Sequence, residues 1–140
     1  MLNSTAIDNK TAPYAALVLR LALGIMFLAH GLTKVFVFTL PGTAQFFDSV
    51  GFPGWMAYPV AGAEVFGGLF LLLGFYPRLV AAALLPLLIG ASMVHLANGW
   101  SFSNTNGGWE YPVFLIAAAL AQVLMGDGAF ALKRSPRFTD

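Results

Sequence analysis

Residues 20–34, RLALGIMFLAHGLTK, form a long apolar stretch that carries an arginine, a histidine and a lysine. In a helix with about 100° per residue, Arg20, Phe27, His30 and Lys34 fall within an arc of about 80°. Ionisable side chains at membrane depth are costly, so by default they face a protein interior and a partner rather than lipid. The stretch therefore predicts a membrane helix with one charged face, and the rest of the chain must supply the partners of that face.

The composition is that of a membrane protein. Of the 140 residues, 59% are hydrophobic and only 9% are charged, against about a quarter charged in soluble domains. The mean hydropathy is +0.78. The absence of cysteine excludes disulfides, thiolate metal sites and cysteine-ligated clusters. A net charge of +1 without a basic run gives no indication of nucleic acid binding.

Four apolar segments approach the length of about 20 residues that crosses a bilayer. They cover about residues 14–38, 56–75, 79–97 and 111–125. The intervening PGTAQFFDSVGFPGW is bounded by proline and glycine and places its apolar residues on one side of a short helix. The sequence thus predicts an all-α integral membrane protein: a four-transmembrane-helix antiparallel bundle with a short interfacial helix between spans 1 and 2, able to lie over the bundle as a lid.

We expect a single membrane domain over residues 1–140, with polar tails at 1–13 and 126–140. The first apolar segment is too long for the core of a removed signal peptide, which favours a retained anchor. Both termini are predicted to be cytoplasmic, because the basic residues near span ends fall mostly on that side. Only Lys34 lies opposite the other basic residues, which are Lys10, Arg20, Arg78, Lys133, Arg134 and Arg137.

With this topology, five titratable residues from all four spans fall in the outer layer of the membrane. Two carboxylates balance one lysine and two imidazoles, as a buried ionic cluster requires. We expect Glu64 to pair with Lys34 or with His30. The five residues are His30, Lys34, Glu64, His95 and Glu110.

Less specific explanations remain open for the same residues. The cluster can serve only to join the helices, and Arg20 can reach lipid phosphates from the cytoplasmic end of its span. No metal site is expected, because lysine is a poor ligand and the two histidines with Glu64 have no diagnostic spacing. The glycines of AGAEVFGG, together with Gly24 and Gly31, are best explained as small residues that let two helices approach closely.

Three segments carry a resemblance to a known family. RLALGIMFLAHGLTKVF, GAEVFGGLFLLLGFYPRLVAAALL and the closing GDGAFAL resemble the DoxX family of small four-span bacterial membrane proteins, over about residues 14–132. The resemblance implies the bacterial cytoplasmic (inner) membrane and a link to quinone-dependent oxidation. It marks the family-like polar positions as Arg20, His30, Lys34, Glu64 and His95.

These observations lead to the hypothesis of a quinone-handling subunit with a redox partner protein or a homo-oligomer, rather than a self-sufficient enzyme. The quinone carbonyls would accept hydrogen bonds from Lys34 and a histidine, and Glu64 would exchange the proton. The catalytic set is predicted as Glu64, His30, Lys34 and His95. The cofactor-binding set is predicted as Arg20, Phe27, Phe66 and Glu110.

Two other classes of function remain open at this stage. A small oligomeric transport or permeation protein would use Glu64 and the histidines to relay protons or to coordinate a solute. A membrane scaffold would use the polar cluster for structure alone.

Overall fold

The protein is described by a computed structural model over residues 6–138. In this range the regular structure is helical. Five α-helices follow one another as α1 Ala12–Phe36, α2 Leu40–Ser49, α3 Ala57–Leu73, α4 Pro77–His95 and α5 Glu110–Met125. Short 3-10 turns, Gly54–Met56 and Leu96–Asn98, precede α3 and follow α4. Residues 1–5 of the predicted N-terminal tail and residues 139 and 140 of the predicted C-terminal tail lie outside the described range.

Three helical segments have the length and apolar character of a membrane span: Ala12–Phe36, Gly54–Leu73 and Pro77–Asn98. The fourth, Glu110–Met125, is apolar but has only 16 residues. The protein is therefore a multi-pass, membrane-embedded helical protein in contact with the lipid bilayer.

Two helices begin two residues earlier than the spans predicted for them, because proline is accommodated in the first turn of each. The spans predicted at 14–38 and 79–97 begin at Ala12 and Pro77 in the structure. Proline is well tolerated in the first helical turn, where its missing N–H has no intrahelical partner to lose. The span that begins at Ala12 also ends two residues early, because Thr39 leaves helical geometry to cap α2, and its Oγ1 accepts a hydrogen bond from Gly42 N at 3.2 Å.

The packing of α1 on α3 depends on glycine. A Cβ atom at Gly31 would lie 2.7 Å from Val65 Cγ2, and one at Gly68 would lie 2.6 Å from the backbone nitrogen of Leu28. Contacts this short leave no room for a side chain, so the two backbones meet as closely as helices allow. The predicted role is confirmed for Gly24, Gly31 and Gly68 but not for Gly62, where a Cβ atom would meet nothing of the described residues within 4 Å. The close approach sets Glu64 beside the end of α1.

The four longer helices pack in a ring: α1 on α3, α3 on α4, α4 on α5 and α5 on α1. Their shared core is apolar and consists of Leu23, Phe27, Leu71, Ala81, Leu84, Leu88, Ala118 and Ala119. The ring has two ends. We call one the Lys34 end, where α1 and α4 finish and α3 and α5 begin beside α2. We call the other the Arg20 end, where α3 and α5 finish and α4 begins.

The described part of the C-terminal segment after α5, which was predicted as a polar tail, is bonded to the helix ring. Tyr76 N donates to Lys133 O at 2.9 Å, and Lys133 N donates to Gly74 O at 3.1 Å. Ala129 N also donates to Pro13 O at 2.9 Å. These bonds hold the segment against the turn between α3 and α4 and against the start of α1, so it closes the Arg20 end.

Candidate functional site

Lys34 and Glu64 form an ion pair at the Lys34 end. Lys34 Nζ lies 2.8 Å from Glu64 Oε2 and 3.1 Å from Oε1, so both carboxylate oxygens accept from one ammonium group. The side chains are 19% and 11% exposed. The pairing of Glu64 with Lys34 predicted from the sequence is confirmed. It arises because Gly31, one turn before Lys34, allows α3 to approach α1.

A cavity of about 370 Å³ opens beside this ion pair. Phe27, Leu88 and Leu115, from three helices of the ring, line it below the pair. Phe47 of α2 and Val50, which directly follows α2, also line it, so α2 forms a wall of the cavity as the lid expectation suggested. The remaining lining is mostly apolar, and a cavity of this size and character is typical of small-molecule sites.

His30 also lines the cavity, but it does not pair with Glu64. Its Nδ1 donates to Met26 O at 2.7 Å, because a carbonyl oxygen only accepts. The imidazole stacks on Tyr111 of α5 with a centroid separation of 6.3 Å and an interplanar angle of 26°. The alternative pairing of Glu64 with His30 is therefore not the one that forms. The hydrogen bond to Met26 fixes Nδ1 and leaves Nε2 as the exchangeable nitrogen of His30.

His95 lies between this cavity, which we call the main cavity because the Lys34–Glu64 pair lines it, and a second cavity. Its Nδ1 donates to Gly107 O at 3.0 Å, and its side chain lines both spaces. The second cavity, of about 530 Å³, is lined by Glu110 with Phe102 and Phe114. Glu110 is not among the residues around the main cavity. The predicted single polar layer is therefore divided into two adjoining spaces, with His95 at the boundary.

The two phenylalanines of the predicted cofactor-binding set have different positions. Phe27 is 5% exposed and lies at the cavity wall. Phe66 is 61% exposed and is not part of that wall. It follows Glu64 by two residues, which is a rotation of about 200° around a helix. When Glu64 faces the interior, Phe66 must face outward.

Arg20 lies at the opposite end of the ring, 14 residues before Lys34, or about 21 Å along the helix. It is 1% exposed, and its Nη1 donates to the backbone oxygen of Asp127 at 2.7 Å. A Cβ at Gly74, whose φ is +73°, would lie 2.9 Å from this nitrogen. Arg20 is thus enclosed by protein, which excludes both contact with the main cavity and the alternative of reaching lipid phosphates.

Asp127 organises the rest of the Arg20 end. Its Oδ1 accepts from Ser135 Oγ at 2.7 Å and from Arg78 N at 3.2 Å. Its Oδ2 accepts from Ser135 N at 2.7 Å. The carboxylate of Asp127 therefore joins the C-terminal segment to the first turn of α4. Gln122 is fully buried at the same end, and its Nε2 donates to Gly126 O at 2.8 Å.

Tyr111 was not predicted from the sequence as a site residue. It lines both cavities, and its hydroxyl donates to Met26 Sδ at 3.1 Å. It follows Glu110 directly and is part of the aromatic and polar residues that open α5. Its position could have indicated this role, because a residue next to Glu110 at the start of α5 is also close to the polar cluster.

Comparisons with known proteins agree with this arrangement. The model of the DoxX family matches residues 15–97, which include α1 from its fourth residue onward and all of α2, α3 and α4. A Bacillus subtilis (strain 168) protein named "Putative oxidoreductase CatD" is 42% identical over 72 residues, which are 51% of this chain and 52% of that protein. The chain spans about half the length of this relative. No solved structure matches. Because the family model matches more than half of the chain, the protein belongs to the DoxX family.

Proposed function

We propose that this protein is a four-span subunit of a quinone-linked oxidoreductase system in a bacterial inner membrane, with both termini cytoplasmic. Its main cavity would bind the quinone head group. Membership of the DoxX family and the name of the Bacillus subtilis relative support a link to oxidoreductases. The proposal places Glu110–Met125 across the membrane with little tilt, since 16 residues extend about 24 Å.

The observation that carries the proposal is the donor count of Lys34. An ammonium group has three N–H donors. Two of them point to the oxygens of Glu64, and the side chain lines the main cavity. Among residues 6–138 the third donor has no partner, so it is available to a ligand carbonyl in a space that is otherwise largely apolar. Hydrogen bonds from a charged donor to such a carbonyl are stronger than neutral ones.

A bound quinone takes up two electrons and two protons to become the hydroquinone, and the hydroquinone gives them back on oxidation. Glu64 is the proton-exchanging group nearest the free donor of Lys34, and its carboxylate oxygens can take or return a proton as the charge of the ligand changes. The Nε2 atoms of His30 and His95 provide further positions for a proton, because their Nδ1 atoms are held by backbone carbonyls. Electrons would pass to or from a partner protein.

The test is binding of a short-chain, water-soluble quinone to the protein in lipid nanodiscs, measured by calorimetry. Lys34→Met should weaken binding by about tenfold or more, because it removes a charged donor worth about 1.5–3 kcal/mol. Lys133→Met removes the same charge at the other end of the ring and should leave binding unchanged.

A folding control is needed because Lys34→Met leaves Glu64 without its cation. In the double variant Lys34→Met, Glu64→Gln neither partner remains charged, and such neutral replacements of ion pairs are often tolerated. The double variant should fold like the wild type and still bind weakly. Wild-type affinity in a folded double variant would refute the proposal, and it would favour a scaffold in which the pair is only structural.

A further inference from the structure

The wall of the main cavity reaches the outside of the protein at mid-membrane depth. Pro86 of α4 lines the cavity and is also exposed at the surface. It is the tenth of the 19 residues of α4, so it lies about 14 Å from either end of a helix about 28 Å long. An opening at this depth meets the hydrocarbon of the bilayer rather than water.

The two sides of this opening come from different elements. On α4, Pro86, Gly90 and Val94 are spaced by four residues and form one stripe along the cavity. Opposite them, Phe46 of α2 is 52% exposed and also lines the cavity. Phe52, in the loop after α2, completes this side.

Gly90 leaves open space on the α4 side of the opening. Glycine inside a helix is less favourable than alanine by about 1 kcal/mol. A Cβ at Gly90 would meet only Phe52 Cζ, at 3.9 Å, which is an ordinary van der Waals distance. Helix packing therefore does not require glycine here, in contrast to Gly31 and Gly68. The position is otherwise open, because apart from the neighbouring backbone of α4 no other heavy atom in the described part of the chain lies within 4 Å of that Cβ.

We propose that the main cavity opens sideways into the bilayer over Gly90, beside Phe52, and that it takes a quinone whose long apolar tail lies across Gly90. This inference rests on the proposed function and specifies its ligand class as a lipid-dissolved, tailed quinone. The Lys34–Glu64 pair holds the polar head, while Pro86, Gly90 and Phe46 provide an apolar passage for the tail. The ligand reaches the head-group position from the membrane without crossing water.

The experiment compares Gly90→Leu with the matched control Gly62→Leu. Both replace a helical glycine by leucine, and a Cβ at Gly62 would meet no atom within 4 Å and lies outside the cavity. Two ligands are titrated into nanodiscs that contain each variant: a quinone with a long isoprenoid tail and a short-chain analogue with the same head group.

Gly90→Leu should weaken binding of the tailed quinone by about tenfold or more and change binding of the short analogue by less than about threefold. Gly62→Leu should change neither. Gly90→Ala adds a single carbon at an ordinary contact distance and should show a smaller loss for the tailed ligand, which preserves the test if the leucine variant is unstable.

Equal losses for both ligands in Gly90→Leu would overturn the inference, because Gly90 would then shape the head-group position. Unchanged binding of both would overturn it as well, because the tail would lie elsewhere. Either result leaves the proposed function standing. Binding of neither quinone to the wild-type protein would overturn the proposed function and this inference together.

Discussion

The two ends of the helix ring hold their charges in different ways. At the Lys34 end, a partly exposed ion pair stands beside open space, and one lysine donor remains for a ligand. At the Arg20 end, a 1% exposed guanidinium donates to a backbone carbonyl and is covered by the C-terminal segment. Depth of burial alone therefore does not identify a binding site. A charged group with an unused donor and an adjoining cavity is the better indicator.

The Arg20 end also shows the cost of closing a polar region with protein. Nε of Arg20 and Oε1 of Gln122 are buried without a hydrogen-bond partner among residues 6–138. Buried polar atoms without partners reduce stability by about 1–3 kcal/mol each. The bonds made by Asp127 must offset this cost, which makes them the most sensitive contacts of that end.

The largest expected effect is therefore on stability, in Asp127→Ala. The change removes the acceptor of both Ser135 donors and one of the two acceptors of Arg78 N, which also donates to Ser135 Oγ, and it leaves Arg20 without a nearby carboxylate. Hydrogen bonds to a charged group contribute about 1.5–3 kcal/mol each, so the loss of these three at a part-buried carboxylate should cost about 3 kcal/mol. Thermal unfolding in detergent measures the loss.

Asp48→Ala is the matched control for this prediction. Asp48 is exposed, and its carboxylate accepts a hydrogen bond from Gly54 N at 2.8 Å. Its replacement should cost about 1 kcal/mol or less. The contrast between the two ends would break down if Asp127→Ala were no more destabilising than Asp48→Ala, or if folded Asp127→Ala lost quinone binding as completely as Lys34→Met.

A smaller effect separates the two phenylalanines. Phe27→Leu removes a ring from the cavity wall and should weaken quinone binding about threefold to tenfold, because aromatic contacts contribute about 0.5–1.5 kcal/mol beyond buried area. Phe66→Leu changes a side chain that faces away from the cavity and should alter neither binding nor stability by more than about 0.5 kcal/mol. Calorimetric titration of both variants checks this, and an equal loss in both would contradict the assignment of the cavity wall.

The sequence predicted the contacts that follow from local periodicity. The helices, the close approach at Gly31 and the pairing of Lys34 with Glu64 could all be inferred, because apolar spacing, small residues and charge balance are visible along the chain. Phe66 was assigned to the site by composition. Its rotation of about 200° from Glu64 already indicated the opposite face.

Contacts formed by the backbone of distant segments could not be inferred. Arg20 donates to a carbonyl 107 residues later in the chain, and a carbonyl oxygen has no sequence signature. The same limit applies to His95, whose Nδ1 donates to the carbonyl oxygen of Gly107 in the loop before α5. The sequence indicated that these side chains are polar and inward, but the choice of partner depends on tertiary geometry.

Binding of the quinone head group beside Lys34 is tested most directly by the position of a bound quinone in an experimental structure of the protein in lipid. We expect the ring in the main cavity near Phe27, with one carbonyl oxygen within hydrogen-bond distance of Lys34 Nζ. A quinone bound at the Arg20 end, against Phe66, or on the lipid surface with the main cavity empty would contradict the account.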